Sequence, residues 1–293
     1  MNNEFRKGNE LKKIKYSLDY LDFKMPIITE NFSKLICGDL HGNFRKLLDF
    51  FILSEFLEIN QEEYFKLIKQ FDMKNFNLDV LETIRFRESS KELILLGDVF
   101  GDRNPEDCLK MQLIDKLNRT TNNKLTILYG NHDNAAFNIL KGLSPDCTPC
   151  LSDFKKLHHF QKKSILNIFK TILNKNYSLV YLVDNIFLSH TPIRLDTLNK
   201  FNISSNGNIE EVVKNINIYF KDFLNGKNDK NDILNLLIWD RFNPLAEYIS
   251  KEYNIEKQIC GHDSFEEMHN VITLDNLNGK SSGLSDVEQL IIL

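Results

Sequence analysis

The sequence of 293 residues lacks an apolar stretch at its start and has no run approaching the ~20 apolar residues that a membrane-spanning helix needs. A secretory signal also requires a continuous apolar segment behind its charged start. We therefore expect a soluble chain without a membrane-spanning segment or a cleaved signal.

The chain also has little net charge and few cysteines. The 37 Lys and Arg against 41 Asp and Glu give a formal net charge of -4, with no long block of one sign. Because nucleic acid attracts strongly basic surfaces, it is not the expected partner. The five cysteines are odd in number and widely scattered, which argues against a disulfide framework. A reducing, cytoplasmic location is predicted, and export by a non-classical route stays open.

The chain shows no internal repeat and no low-complexity linker, and its length suits one domain over residues 1–293. Residues 1–30 are predicted to form a helical extension that packs on the outside of this domain. Residues 59–90 are mostly amphipathic and carry no motif with evident chemistry. They are predicted to be a helical insertion.

Short apolar, β-branched runs recur along the chain, and each ends in a polar cluster, in four of the five cases with a glycine. Runs of this kind are typical of buried strands. Five are predicted: Lys34–Asp39, Glu92–Asp98, Leu125–His132, Asn185–His190 and Gln258–Asp263. Two closing strands are predicted over Val271–Leu274 and Gln289–Leu293.

Helical patterns separate these strands: Phe44–Leu57, Pro105–Leu117, Asp133–Leu140, Ser152–Leu173, Ile209–Leu224 and Asn231–Ile238. Alternating strands and helices indicate an α/β fold. Ligands of such folds gather beyond the carboxyl ends of the strands.

The polar clusters at the five strand ends contain six oxygen and nitrogen donors. Asp98 offers a carboxylate that can bridge two cations. Six donors from five strand ends suit a pair of metals ~3.5–4 Å apart. The predicted ligands are Asp39, His41, Asp98, Asn131, His190 and His262.

Such a pair of cations suits phosphate-ester chemistry. It neutralises charge on phosphate oxygens and lowers the pKa of a shared water, so that a bridging hydroxide attacks directly. His132 is then the predicted general acid, and Asp133 the carboxylate that orients it. Arg103 is predicted to bind phosphate through its guanidinium fork.

Five motifs, in order, carry a family resemblance. GDLHG at 38–42, GDVFGDR at 97–103, GNHD at 130–133, SHTP at 189–192 and GHD at 261–263 resemble the signature blocks of calcineurin-like metallophosphoesterases. GDLHG and the Asp-Arg of the second block resemble the branch of Ser/Thr phosphoprotein phosphatases and bacterial dinucleoside-tetraphosphate hydrolases. The resemblance spans roughly residues 34–275.

The resemblance implies a four-layer α/β/β/α sandwich with two mixed central sheets. It places Asp39, His41 and Asp98 at a first metal, and Asp98, Asn131, His190 and His262 at a second. His132 takes the acid role with Asp133. IWDR at 238–241 resembles a family segment that supplies a second phosphate contact, Arg241. Mn²⁺ is the expected metal, with Fe or Zn as alternatives.

The sequence departs from the family pattern at several points. Gly101 is an extra residue before Asp102-Arg103, Asn104 replaces a glycine, and GNHD replaces the GNHE of many eukaryotic members. The first two put the pose of Arg103 in doubt. The spacing from Asp39 to Asp98 is also longer than usual, because of the insertion.

Three functions stay open at this stage. The leading one is a phosphoprotein phosphatase without a covalent phosphoenzyme; the second is a hydrolase of dinucleoside polyphosphates or other nucleotides. The third, an inactive binding scaffold, is disfavoured because all six ligands are present. The sequence leaves undetermined the preference for Ser/Thr or Tyr and the oligomeric state. The pair Cys147/Cys150 is interpreted as structural or incidental, and the pair His158/His159 as solvated or packed rather than metal-binding.

Overall fold

The computed structural model describes residues 11–18, 24–72, 79–101, 106–145, 151, 153–201, 208–227, 231–241, 252–264, 267–268, 270–275 and 286–293. Its strands are β1 Lys12–Leu18, β2 Lys34–Cys37, β3 Glu92–Leu95, β4 Lys124–Leu128, β5 Tyr177–Ser178, β6 Val180–Val183, β7 Ile186–Ser189, β8 Lys257–Ser264, β9 Glu267–Met268, β10 Val271–Asp275 and β11 Asp286–Ile292. Its helices are α1 Phe44–Leu53, α2 Gln61–Asp72, α3 Asp79–Thr83, α4 Asp107–Thr120, α5 Asn131–Leu140, α6 His159–Asn176, α7 Leu195–Asn199, α8 Ile209–Leu224 and α9 Asn231–Ile238, with a 3₁₀ turn at Phe154–Lys156.

The strands form two mixed sheets. The first has the order β1-β11-β2-β3-β4-β5, and the second has the order β6-β7-β8-β10-β9. In the first sheet β2, β3, β4 and β5 run parallel, while β11 is antiparallel to β1 and β2. In the second, β7, β8 and β10 are parallel, with β6 and β9 antiparallel at the edges.

Alternating side chains show that the two sheets face each other. Ile36 and Ile94 from the first sheet share a buried cluster with Leu188, Ile259 and Ile272 from the second. In the first sheet the strand neighbours of Ile36 and Ile94 belong to the cluster that includes helical residues, because successive side chains point to opposite faces. The mixed α/β fold and the two mixed sheets of the expected sandwich are confirmed.

Most predicted elements are present, with shifted ends. Helices α8 and α9 have the predicted bounds, whereas α6 begins at His159 rather than Ser152. The late start has a local cause: the Gln161 side chain accepts a hydrogen bond from the backbone N–H of His158 at 3.0 Å. This pairing satisfies a donor that the first helical turn leaves open. His158 and His159 are both exposed, which is the arrangement of a solvated pair.

The helix predicted over residues 1–30 is wrong for Lys12–Leu18, which form strand β1. This strand pairs antiparallel with β11, with Lys12 opposite Ile292 and Leu18 opposite Asp286. Apolar residues at every second position of KKIKYSL fit a strand rather than a helix. The lysines between them suit an edge, where charge discourages pairing with other chains.

Within the segment 59–90 the structure has helices α2 and α3, whereas residues 84–90 are not helical. A buried network ties it to α1: the Tyr64 hydroxyl donates to Asp49 Oδ1 at 2.7 Å and accepts from Arg45 Nε at 3.4 Å. A cleft of about 680 Å³ lies on this segment, between residues 57–67 and 82–85. Among the described residues, no helix combines the length and apolarity needed to cross a membrane.

Candidate metal centre

The polar clusters follow strands whose carboxyl ends meet at one edge. Asp39 follows β2, Asp98 follows β3, Asn131 follows β4 and His190 follows β7. Because β2, β3 and β4 are parallel, their ends bring these loops together. The backbone N–H of His41 donates to the Asp98 carbonyl at 2.8 Å and joins the first two loops directly.

His262 reaches the site differently from the prediction of a strand that stops at Asp263. Strand β8 continues to Ser264, and Cys260 lies opposite Thr273 while Ser264 lies opposite Asp275. Three residues of β8 therefore face one residue of β10, and His262 is the middle one. Its φ of 65° lies in the left-handed region. This bulge turns the His262 side chain out of the regular alternation.

Two other candidate ligands share this backbone conformation. His41 has φ 44° and Asp98 has φ 46°. Such values are uncommon outside glycine, cost free energy and cluster at functional sites. Strained backbone at three of the six predicted ligands marks this edge as a functional site.

Two groups of ligand-capable side chains form here and share one carboxylate. The first is His41, Asp98 and His132; the second is Asp98, His190 and His262. In each, the ligand-capable atoms lie within 4.8 Å of one another. Asp98 Oδ2 is 3.8 Å from His41 Nε2, and Asp98 Oδ1 is 3.5 Å from His190 Nε2. The two oxygens of Asp98 thus face different groups, as a bridging carboxylate requires.

Asp39 and Asn131 complete the set of six. Asp39 Oδ2 is 3.8 Å from His41 Nε2, and Asp39 Oδ1 is 3.8 Å from His190 Nδ1. Asn131 Oδ1 lies 3.1 Å from His190 Nε2. All six predicted ligands are buried and are brought together at this edge.

The contacts of His190 point to a cation. Its Nδ1 lies 2.9 Å from the Leu96 carbonyl, which can only accept, so Nδ1 carries the hydrogen. Burial, followed by His262, lowers the pKa of His190 well below its usual 6.5. The unprotonated Nε2 then faces the oxygens of Asn131 and Asp98. With no hydrogen between them, the lone pairs of this nitrogen and these oxygens repel one another. A metal ion bound between them would replace that repulsion with attraction. The donor set therefore fits a metal.

Two glycines allow the carboxylates to press against backbone. A Cβ added at Gly261 would lie 2.0 Å from Asp39 Oδ1, and one at Gly130 would lie 2.2 Å from Asp98 Oδ1. Real Cβ atoms do not approach that closely, so a larger residue at either position would displace a candidate metal-binding carboxylate. The glycines of GHD and GNHD were therefore a sequence signal for this packing.

His132 and Asp133 have different surroundings. His132 is half-buried at the start of α5, and its ring centroid is 5.1 Å from that of His41. Asp133 does not follow the expected pairing with His132. Its carboxylate accepts from Phe100 N at 3.2 Å, Gly130 N at 3.0 Å and the Tyr177 hydroxyl at 3.2 Å. Asp133 therefore anchors the second and third motif loops to each other.

Burial raises the pKa of Asp133 to about 6, while the two backbone N–H donors and Tyr177 oppose this rise. The aspartate is fully enclosed. The residues that hold it, Phe100 and Tyr177, lie far from it in the chain, so the sequence motif alone did not reveal them.

The comparison with protein families decides the family. A model described as calcineurin-like phosphoesterase matches residues 33–265, which is most of the chain and contains all six donors. The chain belongs to this family. Among curated proteins, none matches it. Phosphoesterases of this family normally bind two divalent metal ions, and the two groups that share Asp98 provide candidate ligands.

Solved structures show the same fold at low identity. The phosphatase domain of the Legionella effector WipB is 16% identical, with a TM-score of 0.55, covering 84% of this chain and 99% of that chain. The cold-active protein-tyrosine phosphatase of a psychrophilic Shewanella is 13% identical, with a TM-score of 0.51, covering 87% of this chain and 74% of that chain. Both support the phosphoesterase sandwich.

Of the two predicted phosphate contacts, Arg103 and Arg241, the structure describes only Arg241. Arg103 lies outside the described residues, as do Asp102 and Asn104, and so do Cys147 and Cys150. Arg241 is exposed just after α9, and its backbone N–H donates to Asp240 Oδ1 at 3.1 Å. Its role in binding phosphate stays a prediction.

A further arginine was missed by the motif search. Arg194 follows the SHTP block, and its Nε lies 2.9 Å from Asp240 Oδ2 in the IWDR segment. Trp239 of that segment meets the His262 ring edge-on, with centroids 6.0 Å apart. In this phosphoesterase the Arg194–Asp240 ion pair therefore fixes the segment beside the metal centre. The sequence signal for this contact was an arginine two residues after the SHTP motif.

Proposed function

We propose that this phosphoesterase is a phosphoprotein phosphatase that hydrolyses phosphomonoesters at a two-metal centre. The observation that carries the proposal is the pair of donor groups that share Asp98, each with two histidines of its own. One group alone would suit a single structural ion. Two groups joined through a carboxylate suit a pair of cations that hold one phosphate.

Six residues would hold the two metals: Asp39, His41, Asp98, Asn131, His190 and His262. Mixed carboxylate, amide and imidazole donors favour Mn²⁺, with Fe or Zn as alternatives. When bound, such ions neutralise phosphate charge and acidify a water. The fixed Nδ1–H of His190, held by Leu96, keeps its Nε2 available as a ligand.

His132 is the proposed general acid. Its half-buried ring beside His41 keeps a route to an incoming substrate, while the other donors are buried. Its backbone N–H donates to Asp98 Oδ1 at 2.9 Å, which fixes the start of α5 against the shared carboxylate. The imidazolium would give its proton to the leaving oxygen of the phosphoester. Arg103 and Arg241 are the proposed phosphate contacts.

The experiment that tests the proposal measures turnover of metal-loaded protein. With Mn²⁺, the wild type is expected to hydrolyse phosphopeptides. His132→Asn is expected to lower kcat by roughly 10²–10⁴-fold on substrates with poor leaving groups and much less on aryl phosphates, since these leave without a proton. His158→Asn, an exposed histidine before α6, serves as the matched control. An equal loss on both kinds of substrate would reject the acid role.

A substrate panel separates the remaining candidates. Phosphoserine, phosphothreonine and phosphotyrosine peptides are compared with dinucleoside tetraphosphate and mononucleotides. One structural neighbour is a protein-tyrosine phosphatase by name, which supports including phosphotyrosine. Turnover of the dinucleotide alone would favour the nucleotide hydrolase. Absence of turnover on every ester, in protein that holds two metals, would favour a binding scaffold.

A further inference from the structure

Two buried lysines lie behind the first two motif loops. Lys46 on α1 donates through Nζ to the backbone carbonyl of Asp39, and Lys110 on α4 donates to the carbonyl of Val99. Lys46 is 2% exposed and Lys110 is 0% exposed. Each ammonium also lies over a phenylalanine ring, Phe50 at 5.7 Å and Phe100 at 5.6 Å. The same arrangement therefore occurs twice, once behind each carboxylate that the metal centre needs.

Burying an ammonium group is costly, and lysine is almost never fully buried unless it is paired. Lys110 is paired with Asp107 at 2.8 Å. Both lysines also donate to carbonyls of the motif loops, which a hydrocarbon side chain of similar length could not do. This choice of partner suggests a role beyond filling the core.

The two carbonyls belong to peptides that set the direction of the ligands. The Asp39 carbonyl lies in the peptide between Asp39 and Leu40, one peptide before the bond that joins Leu40 to His41. The Val99 carbonyl lies in the peptide between Val99 and Phe100, whose N–H is held by Asp133 at 3.2 Å. That second peptide is therefore fixed at both ends, one residue after Asp98.

We infer that Lys46 and Lys110 are positioning residues of the metal centre. A charge-assisted hydrogen bond from each ammonium turns a loop carbonyl inward and holds the left-handed backbone of His41 and Asp98. The inference rests on the proposed two-metal function.

The test uses metal-stripped full-length protein and competition for Mn²⁺ with a chelating dye. Lys46→Met keeps the length and apolar stem of the side chain and removes the charge. Lys110→Met is made together with Asp107→Asn, so that no buried carboxylate loses its partner. Lys116→Met is the matched control, because Lys116 also lies on α4 and donates to a backbone carbonyl, that of Leu81, away from the ligands.

Lys46→Met and the Lys110 double variant are each expected to weaken Mn²⁺ binding about tenfold or more, as loss of support behind a ligand does. Lys116→Met is expected to stay within about twofold of wild type, since its carbonyl partner holds no ligand. Urea unfolding without metal reports any general loss of stability. Combining Lys46→Met with Asp39→Asn is expected to give less than the product of the two single effects, because both act on one ligand.

Wild-type affinity in folded Lys46→Met and in the folded Lys110 double variant would overturn the inference, and so would an equal loss in Lys116→Met. If Lys46→Met does not fold, Lys46→Gln, which keeps a polar side chain, is judged by the same affinities. Failure of the wild type to bind two Mn²⁺ ions would instead reject the proposed function. The two failures are therefore distinguishable.

Discussion

The backbone N–H of His262 donates a hydrogen bond of 2.9 Å to Asp39 Oδ2, although 223 positions separate the two residues. This bond joins the loop after β2 in one sheet to the bulge of β8 in the other. The first and last motifs of the chain therefore orient each other directly. The candidate metal centre therefore depends on how the two sheets pack together, and not on either sheet alone.

Gly261→Ala is expected to disrupt this junction. The added Cβ would lie 2.0 Å from Asp39 Oδ1, so the carboxylate must move away from its position beside His41. We expect Mn²⁺ affinity to fall about tenfold or more and activity to fall with it. The measurement is metal affinity by dye competition, together with kcat/KM on an aryl phosphate.

Gly226→Ala provides the control for this substitution. Gly226 follows α8 at φ 70°, and nothing lies within 4 Å of its added Cβ. The backbone conformation alone is expected to cost about 1 kcal/mol of unfolding free energy, with metal affinity unchanged. Equal losses of metal affinity in both variants would show that a general loss of stability, rather than the clash with Asp39, is responsible.

Asp98→Asn is expected to affect both donor groups. Asn keeps the size of the side chain and removes the charge that the two groups share. Because even residues behind the ligands change metal affinity ~10–100-fold, loss of the shared ligand should lower affinity and turnover by at least ~100-fold. Metal content after gel filtration, with Asp115→Asn on α4 as control, measures this. A variant that retains two tightly bound ions would contradict the bridging role.

The sequence predicted that the six candidate donors would meet, because five of them come after buried strands and parallel strands end at the same edge; His262 instead lies inside β8. It also predicted α8 and α9 to the residue, since their apolar periodicity is uninterrupted. Strand β1 was missed because its alternation is short and rich in lysine. Its pairing partner, β11, lies at the far end of the chain.

The sequence also did not predict which residues far apart in the chain contact one another. Asp133 was paired with its neighbour His132, whereas the folded chain brings Tyr177 and Phe100 to it. The bulge at His262 depends on the register of β10, which no residue of GHD specifies by itself. Motifs identify which groups meet; the partners behind them are determined by tertiary packing.

Arg194→Gln is expected to loosen the IWDR segment. The ion pair from Arg194 Nε to Asp240 Oδ2 holds Trp239 beside His262. Both partners are only partly exposed, so removing the pair should have a larger effect than removing a surface ion pair. We expect kcat/KM to fall ~3–10-fold. The unfolding free energy should change by about 1 kcal/mol or less. Kinetics on a phosphopeptide measure the effect.

Arg119→Gln is the control for this prediction. Arg119 is exposed on α4 and pairs with the buried Asp115 at 2.9 Å, away from the donor groups. Its kinetics should match the wild type. If Arg194→Gln were as active as this control, the ion pair would have no part in arranging the site.

Glu106 gives a prediction about pH. Burial raises the pKa of its carboxyl from 4.5 to about 7, against an opposing effect of Lys110. The folded state therefore holds this proton more tightly than the unfolded state does. The stabilisation is fully present below pH 4.5 and is lost as pH rises through about 7. Discounted for partial exposure, it amounts to ~1–2 kcal/mol.

Glu106→Gln, which mimics the protonated form, is expected to remove that decline. Urea unfolding of metal-stripped protein between pH 5 and 8, in steps of about half a unit, gives the free energy of both proteins. As pH rises, the unfolding free energy of the variant should increase relative to that of the wild type, by ~1–2 kcal/mol at about pH 8. Glu82→Gln, at an exposed carboxylate of α3, should follow the wild-type curve. A Glu106→Gln curve parallel to the wild type would mean that Glu106 is ionised in the folded protein throughout this range.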